Sequence, residues 1–269
     1  VTKQPANSDG TVGKALDVLE KVASFGRPVR FMEILSVCEH PKATLYRLLQ
    51  TLTNQRLLSY DQRTQEYSMG VRLVQFAHAA WAQSSLAPIA RGFVLELSEA
   101  TDATVHLAQL DGGQVLYVDK RNKEHDVQMF AQAGKVGPAY CTGVGKAMLA
   151  HLDGDALDAA LDQQTFHPHT PTTLTSRAAL LEELTAIKVR GYAFDLEEHE
   201  PGIICVAAPI LSRLGRVLGA ISSTTTTEKA NKAALEKQAP LVMRAAQKIA
   251  DDVEAWRFPD ASSHLTLAK

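Results

Sequence analysis

Pro41-Lys42-Ala43-Thr44-Leu45-Tyr46-Arg47-Leu48-Leu49-Gln50-Thr51-Leu52 carries leucines at 45, 48, 49 and 52, one apolar stripe at helical spacing. The residues on either side of it decide how this helix is used. After Gln55-Arg56 the period changes to that of strands: Leu57-Leu58-Ser59-Tyr60, a turn at Asp61-Gln62-Arg63-Thr64, and a returning strand Gln65-Glu66-Tyr67-Ser68-Met69. Upstream, Val12, Leu16, Leu19 and Val22 or Ala23 mark an amphipathic helix that Gly26 and Pro28 end. A short apolar segment (Phe31, Ile34, Leu35, Cys38) then reaches a break at Glu39-His40-Pro41. Three helices, a tight turn before the third and a hairpin directly behind it predict a winged helix-turn-helix over residues 11–70, preceded by a polar arm at 1–10. A three-helix structural cap is the simpler competing architecture.

If the third helix reads DNA, the residues off its leucine stripe face the groove. Lys42 and Thr44 sit at the helix start, where free amides and the positive dipole end favour phosphate. Arg47 and Gln50 have the donor and acceptor patterns that read guanine and adenine edges. Tyr46 shares their face, and Arg63 at the wing tip is placed for a minor groove or the backbone. Residues 11–70 hold eight Lys/Arg against six Asp/Glu, a net of +2 in a chain of net −2. DNA binding here therefore rests on a local basic face and not on global charge.

Composition narrows the remaining classes. At 269 residues, 45% hydrophobic and 22% charged, the chain has room for two modest cores. Its apolar runs fall short of a membrane span, and an odd count of three cysteines (Cys38, Cys141, Cys205) fits a reducing cytoplasm, not a disulfide framework or a local zinc knuckle. Residues 71–86 read as a connecting helix whose stripe of Leu73, Val74, Ala77, Ala80, Trp81 and Ser84 suits a subunit interface or packing on its own domain.

From 87 to 257 helix and strand patterns alternate, before a tail at 258–269. A helix over 87–100 precedes strands Thr104–Leu110 and Gln114–Lys120, joined at Asp111-Gly112-Gly113. A strand is expected at Asp126–Gln132, a helix from the glycine-rich 142–146 stretch, another over 176–190, then strands Ile203–Leu211 and Val217–Thr224 and a long closing helix. Hairpin connections predict an α+β domain with a mostly antiparallel sheet. Thr142-Gly143-Val144-Gly145-Lys146 is not a phosphate loop, because the glycine five positions before Gly145 is missing and Ala147 replaces Ser/Thr. Its helix-start amides remain a cradle for a small carboxylate. In a hairpin turning near 213–214, paired numbers sum to about 427, which sets Cys205 opposite Ser222 with Thr224 on the same face. Asp195 closes the preceding strand, so one polar pocket is expected. The alternative is a satisfied polar core with Cys205 as a small hydrophobe.

Two segments resemble the IclR family of bacterial transcription regulators. Pro41–Leu49 is similar to that family's recognition-helix opening, with Ala43 where serine is common, Glu39 in place of a turn glycine and Met32 in place of a hydroxyl cap. Gly191-Tyr192-Ala193-Phe194-Asp195-Leu196-Glu197-Glu198-His199-Glu200-Pro201-Gly202-Ile203-Ile204-Cys205-Val206-Ala207-Ala208-Pro209-Ile210 matches the signature of its effector domain, and the likeness covers 11–256. It implies a GAF/profilin-like effector domain and effector contacts at Gly143, Val144, Asp195, Cys205, Ser222 and Thr224, with an apolar wall near Met129 and Ile203. It also implies a linker helix that pairs subunits, giving a homodimer or a dimer of dimers. The acidic run Glu197–Glu200 is expected to be a solvated loop.

The leading expectation is a cytoplasmic regulator, a repressor, that binds double-stranded operator DNA and answers to a small carboxylate, aldehyde or lactone-derived metabolite. No cofactor, metal or membrane is called for. An activator of a catabolic operon is the nearest alternative. An enzyme built on Cys205 with His106 or His199, or a metal site with Asp195, is a weaker one: no serine elbow is present and His199 has no histidine four residues on. A constitutive architectural DNA binder is the third.

Overall fold

In the computed structural model of the chain, residues 10–84, 86–122, 129 and 131–257 are described, without the side chains of 81–84, 256 and 257. They divide into two compact units at Ser84/Ser85. Residues 1–9 of the expected arm (1–10), the tail (258–269) and the Trp81 anchor lie outside the described residues and side chains, and Gly10 already belongs to the first helix.

The first unit runs α1 (Gly10–Ser24), β1 (Val29–Arg30), α2 (Phe31–Val37), α3 (Lys42–Asn54), β2 (Leu58–Asp61), β3 (Glu66–Met69) and α4 (Val71–Ser84). All four α3 leucines are buried, as the periodicity predicts. They pack with Val18, Val22, Ile34, Leu58 and Tyr67 into one core. The expected α1 stripe is only half right. Val12 is 72% and Leu16 51% exposed, and Val18 takes the buried place beside Leu19 and Val22. A helix of 3.6 residues per turn offers more than one stripe, and packing partners choose between them. Met32 is not a cap: α2 begins at Phe31, and the carboxylate of Glu33 accepts the Arg30 N–H at 2.9 Å. The wing is antiparallel in the order β1-β3-β2, its two-residue first strand invisible to sequence patterning. On α4, Leu73 joins the core, while Val74, Ala77 and Ala80 are exposed.

The second unit runs α5 (Leu86–Thr101), β4 (Thr104–Asp111), β5 (Gln114–Arg121), β6 (Val136–Gly137), α6 (Gly143–Leu149), α7 (Gly154–Asp162), α8 (Arg177–Arg190), β7 (Ala193–Leu196), β8 (Ile203–Leu211), β9 (Val217–Thr226) and α9 (Lys232–Arg257). Its six strands pair antiparallel throughout in the order β6-β5-β4-β9-β8-β7. The β4–β5 hairpin turns at Gly112-Gly113, both with positive φ as its tight turn requires. Of the strand expected at Asp126–Gln132, the described Met129, Ala131 and Gln132 are not in a strand, and the short β6 supplies the edge instead. The helix α7 is an addition to the elements expected from sequence.

Alternation along the strands splits this unit into two cores. Val105, Leu107, Ile204, Val206, Ala208 and Ile221 pack with α5 and α9. Ala108, Tyr117, Ala193, Ala207 and Ala220 pack with α6, α7 and α8. Small residues on that second face let α6 approach the sheet closely.

Candidate functional site

The hairpin β8–β9 places Cys205 opposite Thr224, and Ala207 opposite Ser222. This corrects the expected pairing of Cys205 with Ser222. The ladder carries an irregularity at Ile210/Leu211 and the turn spans Ser212–Arg216, so paired numbers sum to 429 over most of its length. A displacement of two residues preserves the face of every side chain, so Cys205, Ser222 and Thr224 still point the same way. Asp195 of β7 lies opposite Cys205 from the other side.

Gly143, Val144, Asp195, Cys205, Ser222, Thr224, Met129 and Ile203 all line one cavity with about 30 Å³ of free space. His106, Tyr117, Ala131, Thr142, His199 and Glu200 complete it. His106 was legible in principle, since it stands opposite Ser222 on β4 and alternation gives it the same face. His199 and Glu200 belong to a loop, and no periodicity points to them.

The glycines of the 142–146 stretch are explained by proximity. A Cβ on Gly143 would stand 2.5 Å from Cys205 Sγ, and one on Gly145 2.4 Å from the Ala139 backbone. Every residue of the seven-residue α6 is buried, Lys146 included. Its ammonium pairs with the carboxylate of Glu198. The Glu197–Glu200 run is therefore not a solvated loop: Glu198 is 7% exposed, and the other three are half-buried. The chain turns inward here because Asp195 Oδ1 accepts the Glu198 N–H at 2.8 Å and Glu197 Oε1 accepts the Gly202 N–H at 2.7 Å. Thr173 adds a hydroxyl donated to the Glu198 carbonyl at 2.6 Å.

Burial dominates the electrostatics. It pushes the Asp195 carboxyl up to about 7, helped by Glu198 and opposed by Lys146. Glu198 is also raised by burial, against the pull of Lys146. His106 falls to about 3, through burial first and Lys120 second, and so stays neutral. The thiol of Cys205 is raised by burial and by Asp195, and the phenol of Tyr117 by burial and by Cys205. Among the described lining residues there is no lysine or arginine. The cavity thus offers hydroxyls, a thiol, a neutral imidazole and a carboxyl near its midpoint, with an apolar wall.

In the first unit, Lys42, Tyr46 and Arg47 line a cleft between α3, the start of α2 and the wing. Arg30, Phe31, Met32, Tyr60 and Gln65 join them there, and sequence patterning points to none of these five. Gln50 is exposed and Thr44 half-buried on α3, and Arg63 is exposed at the wing turn, where Asp61 Oδ1 accepts its N–H at 2.8 Å. The Pro41 cap of α3 supplies no side-chain acceptor, which leaves first-turn N–H groups to other partners.

A winged helix with a basic, aromatic cleft beside α3, followed by a helix–sheet–helix unit with a small polar cavity, defines a DNA-binding transcriptional regulator. The chain belongs to the IclR family: residues 11–62 match the IclR helix-turn-helix domain, and residues 78–251 match the bacterial transcriptional regulator IclR C-terminal domain. The HTH-type transcriptional regulator XynR of Escherichia coli K12 is 31% identical over 225 residues, 84% of this chain and 89% of that protein. The transcriptional repressor IclR of the same organism is 27% identical over 238 residues, 88% and 87% of the two chains. The fold is shared with an IclR homologue from Microbacterium hydrocarbonoxydans, crystallised in complex with 4-hydroxybenzoate (TM-score 0.78, 21% identity, 91% of this chain and 100% of that one).

Proposed function

We propose that this regulator is a repressor whose hold on double-stranded operator DNA is set by a small oxygen-bearing metabolite in the cavity beneath β8 and β9. One observation carries the reading: polar residues from four separate elements, β4, β7, β8 and β9, meet at a single buried cavity. Buried polar groups are costly unless satisfied, and these make few bonds among themselves, so a ligand oxygen that adds to those bonds offsets the cost of gathering them. Small carboxylates, aldehydes and lactones match the donors on offer. The repressor reading draws on the E. coli relative, and the small-molecule reading on the 4-hydroxybenzoate bound by the structural neighbour.

The same electrostatics argue for binding over catalysis. A nucleophilic cysteine needs thiolate character, and burial drives Cys205 the other way. His106 is too weak a base to take its proton. Among the described residues no helix is long and apolar enough to cross a membrane, and a regulator of this kind works in the cytoplasm beside its operator. We assign Lys42, Thr44, Tyr46, Arg47, Gln50 and Arg63 to the DNA face, over a winged-helix domain of 11–70. The exposed stripe of α4 is assigned to a homodimer that presents two such domains to two half-sites, alone or as a dimer of dimers.

The test pairs gel-shift titration on the cognate operator with a thermal-shift screen of carboxylates, aldehydes and lactones. Arg47→Ala weakens operator binding by about 1–3 kcal/mol, roughly five- to 150-fold, with the oligomer intact. Ser222→Ala binds the operator as the parent does but loses the ligand-dependent release, a coupling of about 1–3 kcal/mol. Undiminished response in Ser222→Ala and Asp195→Ala would remove the cavity from the mechanism.

A further inference from the structure

Behind the hydroxyl pair of β9 stands a histidine whose second nitrogen completes no hydrogen bond among the described residues. His106 is 3% exposed. Its Nδ1 lies 3.1 Å from Thr224 Oγ1, and that hydroxyl lies 3.3 Å from Ser222 Oγ. Tyr117 meets the imidazole edge-on, with centroids 5.7 Å apart. The ring is therefore held from two sides. Its Nε2 is buried and completes no hydrogen bond among the described residues, although the Ala131 carbonyl exerts a weak pull on the ring. An orphaned buried nitrogen is costly in a structural histidine and expected in one that awaits a partner.

We propose that His106 is a ligand-reading residue of the cavity: Nε2–H donates to a carbonyl or carboxylate oxygen of the effector, while Nδ1 accepts the Thr224 hydroxyl proton. This rests on the reading of the cavity as the effector site and adds to it a donor and a ligand class. Because the ring stays neutral it carries only one proton, and since a hydroxyl can serve either tautomer, Thr224 is assigned the donor role toward Nδ1. With Thr224 donating to Nδ1, the proton resides on Nε2. The ligand oxygen is then read by neutral donors, since the described lining holds no lysine or arginine. Its carbon skeleton packs on Met129, Ala131, Val144 and Ile203. An analogue that lacks the oxygen leaves Nε2 buried and unpaired, which is how such a site rejects it.

Two isosteres separate this role from a structural one. Asparagine at 106 reproduces the Nδ1 position toward Thr224 and deletes Nε2, and glutamine reproduces Nε2 and deletes Nδ1. The full-length protein, uniformly ¹⁵N-labelled, is titrated with millimolar acetate and then pyruvate, followed by nuclear magnetic resonance of the histidine ring nitrogens and the backbone amides. The expected results are a neutral Nε2–H tautomer from about pH 5 to 8 and a shift of the His106 Nε2 resonance on addition of either acid. His106→Gln keeps the affinity within about threefold, and His106→Asn loses about tenfold or more, the worth of one buried hydrogen bond. Three outcomes overturn the proposal: an Nδ1–H tautomer, the reverse order of the two variants, or probe-induced shifts at Ser222 and Cys205 that leave His106 unmoved. The last would leave the cavity reading intact, whereas no shift at any lining residue would remove both.

Discussion

Asp195→Asn should make this protein more stable, and increasingly so as the pH rises. The carboxyl is 7% exposed and burial holds its pKa at about 7, against an ordinary value near 3.8. Because the folded pKa lies above the unfolded one, the native state binds the proton more tightly, and stability falls as pH rises from about 4 to about 7. Each unit is worth about 1.36 kcal/mol, so the cost grows from about 1.5 kcal/mol at pH 5 to about 4 kcal/mol at pH 8. Asparagine removes the charge but keeps the oxygen that accepts the Glu198 N–H. Urea unfolding followed by circular dichroism, on parent and variant at both pH values, measures the difference directly. The two curves should separate by about 1.5 kcal/mol at the lower pH and by about 4 at the higher. A gap that does not change with pH, or a variant less stable than the parent at pH 8, would refute the argument that an ionised Asp195 is an unfavourable feature of the cavity.

Two further substitutions probe the wall behind it. Lys146→Met leaves Glu198 as a buried carboxylate with no counter-ion, which costs about 3–5 kcal/mol. The loss should shrink as the pH is lowered and Glu198 protonates, and Lys146→Met with Glu198→Gln should recover most of it in the same unfolding assay; a loss independent of pH would show that the ion pair is not the cause. Gly143→Ala drives a methyl to 2.5 Å from Cys205 Sγ and 3.3 Å from Ala207 Cβ, and should cost about 1–3 kcal/mol. Adding Cys205→Ala should relieve part of that, a coupling of about 1 kcal/mol or more in a double-mutant cycle; strict additivity would show the crowding to lie elsewhere.

The parts of this protein that are readable in sequence are those governed by local periodicity. The α3 leucines, the hairpin behind them, the Gly112-Gly113 turn and the β8–β9 pair each declare themselves through spacing alone. The α1 stripe does not, because Val12 and Leu16 sit at helical spacing yet only contact with other elements selects the buried side. The site shows the same division. Face alternation survives a two-residue error in register, so Cys205, Ser222 and Thr224 are grouped correctly although the expected register gives Cys205 the wrong partner.

Sequence by itself determined the order of the two units, the antiparallel character of the second and the side of the sheet on which its polar strand residues lie, since all three arise from chain-local repeat and turn chemistry. Tertiary structure alone decided what those polar residues experience. Glu198 reads as one acid in a solvated run until Lys146, 52 residues away on a buried helix, supplies its counter-ion. His106 reads as a polar interruption of a strand until Thr224, 118 residues away, stands 3.1 Å from one ring nitrogen and burial holds the imidazole neutral. Burial and pairing at that range set protonation, and protonation is a property of surroundings that no short stretch of sequence contains.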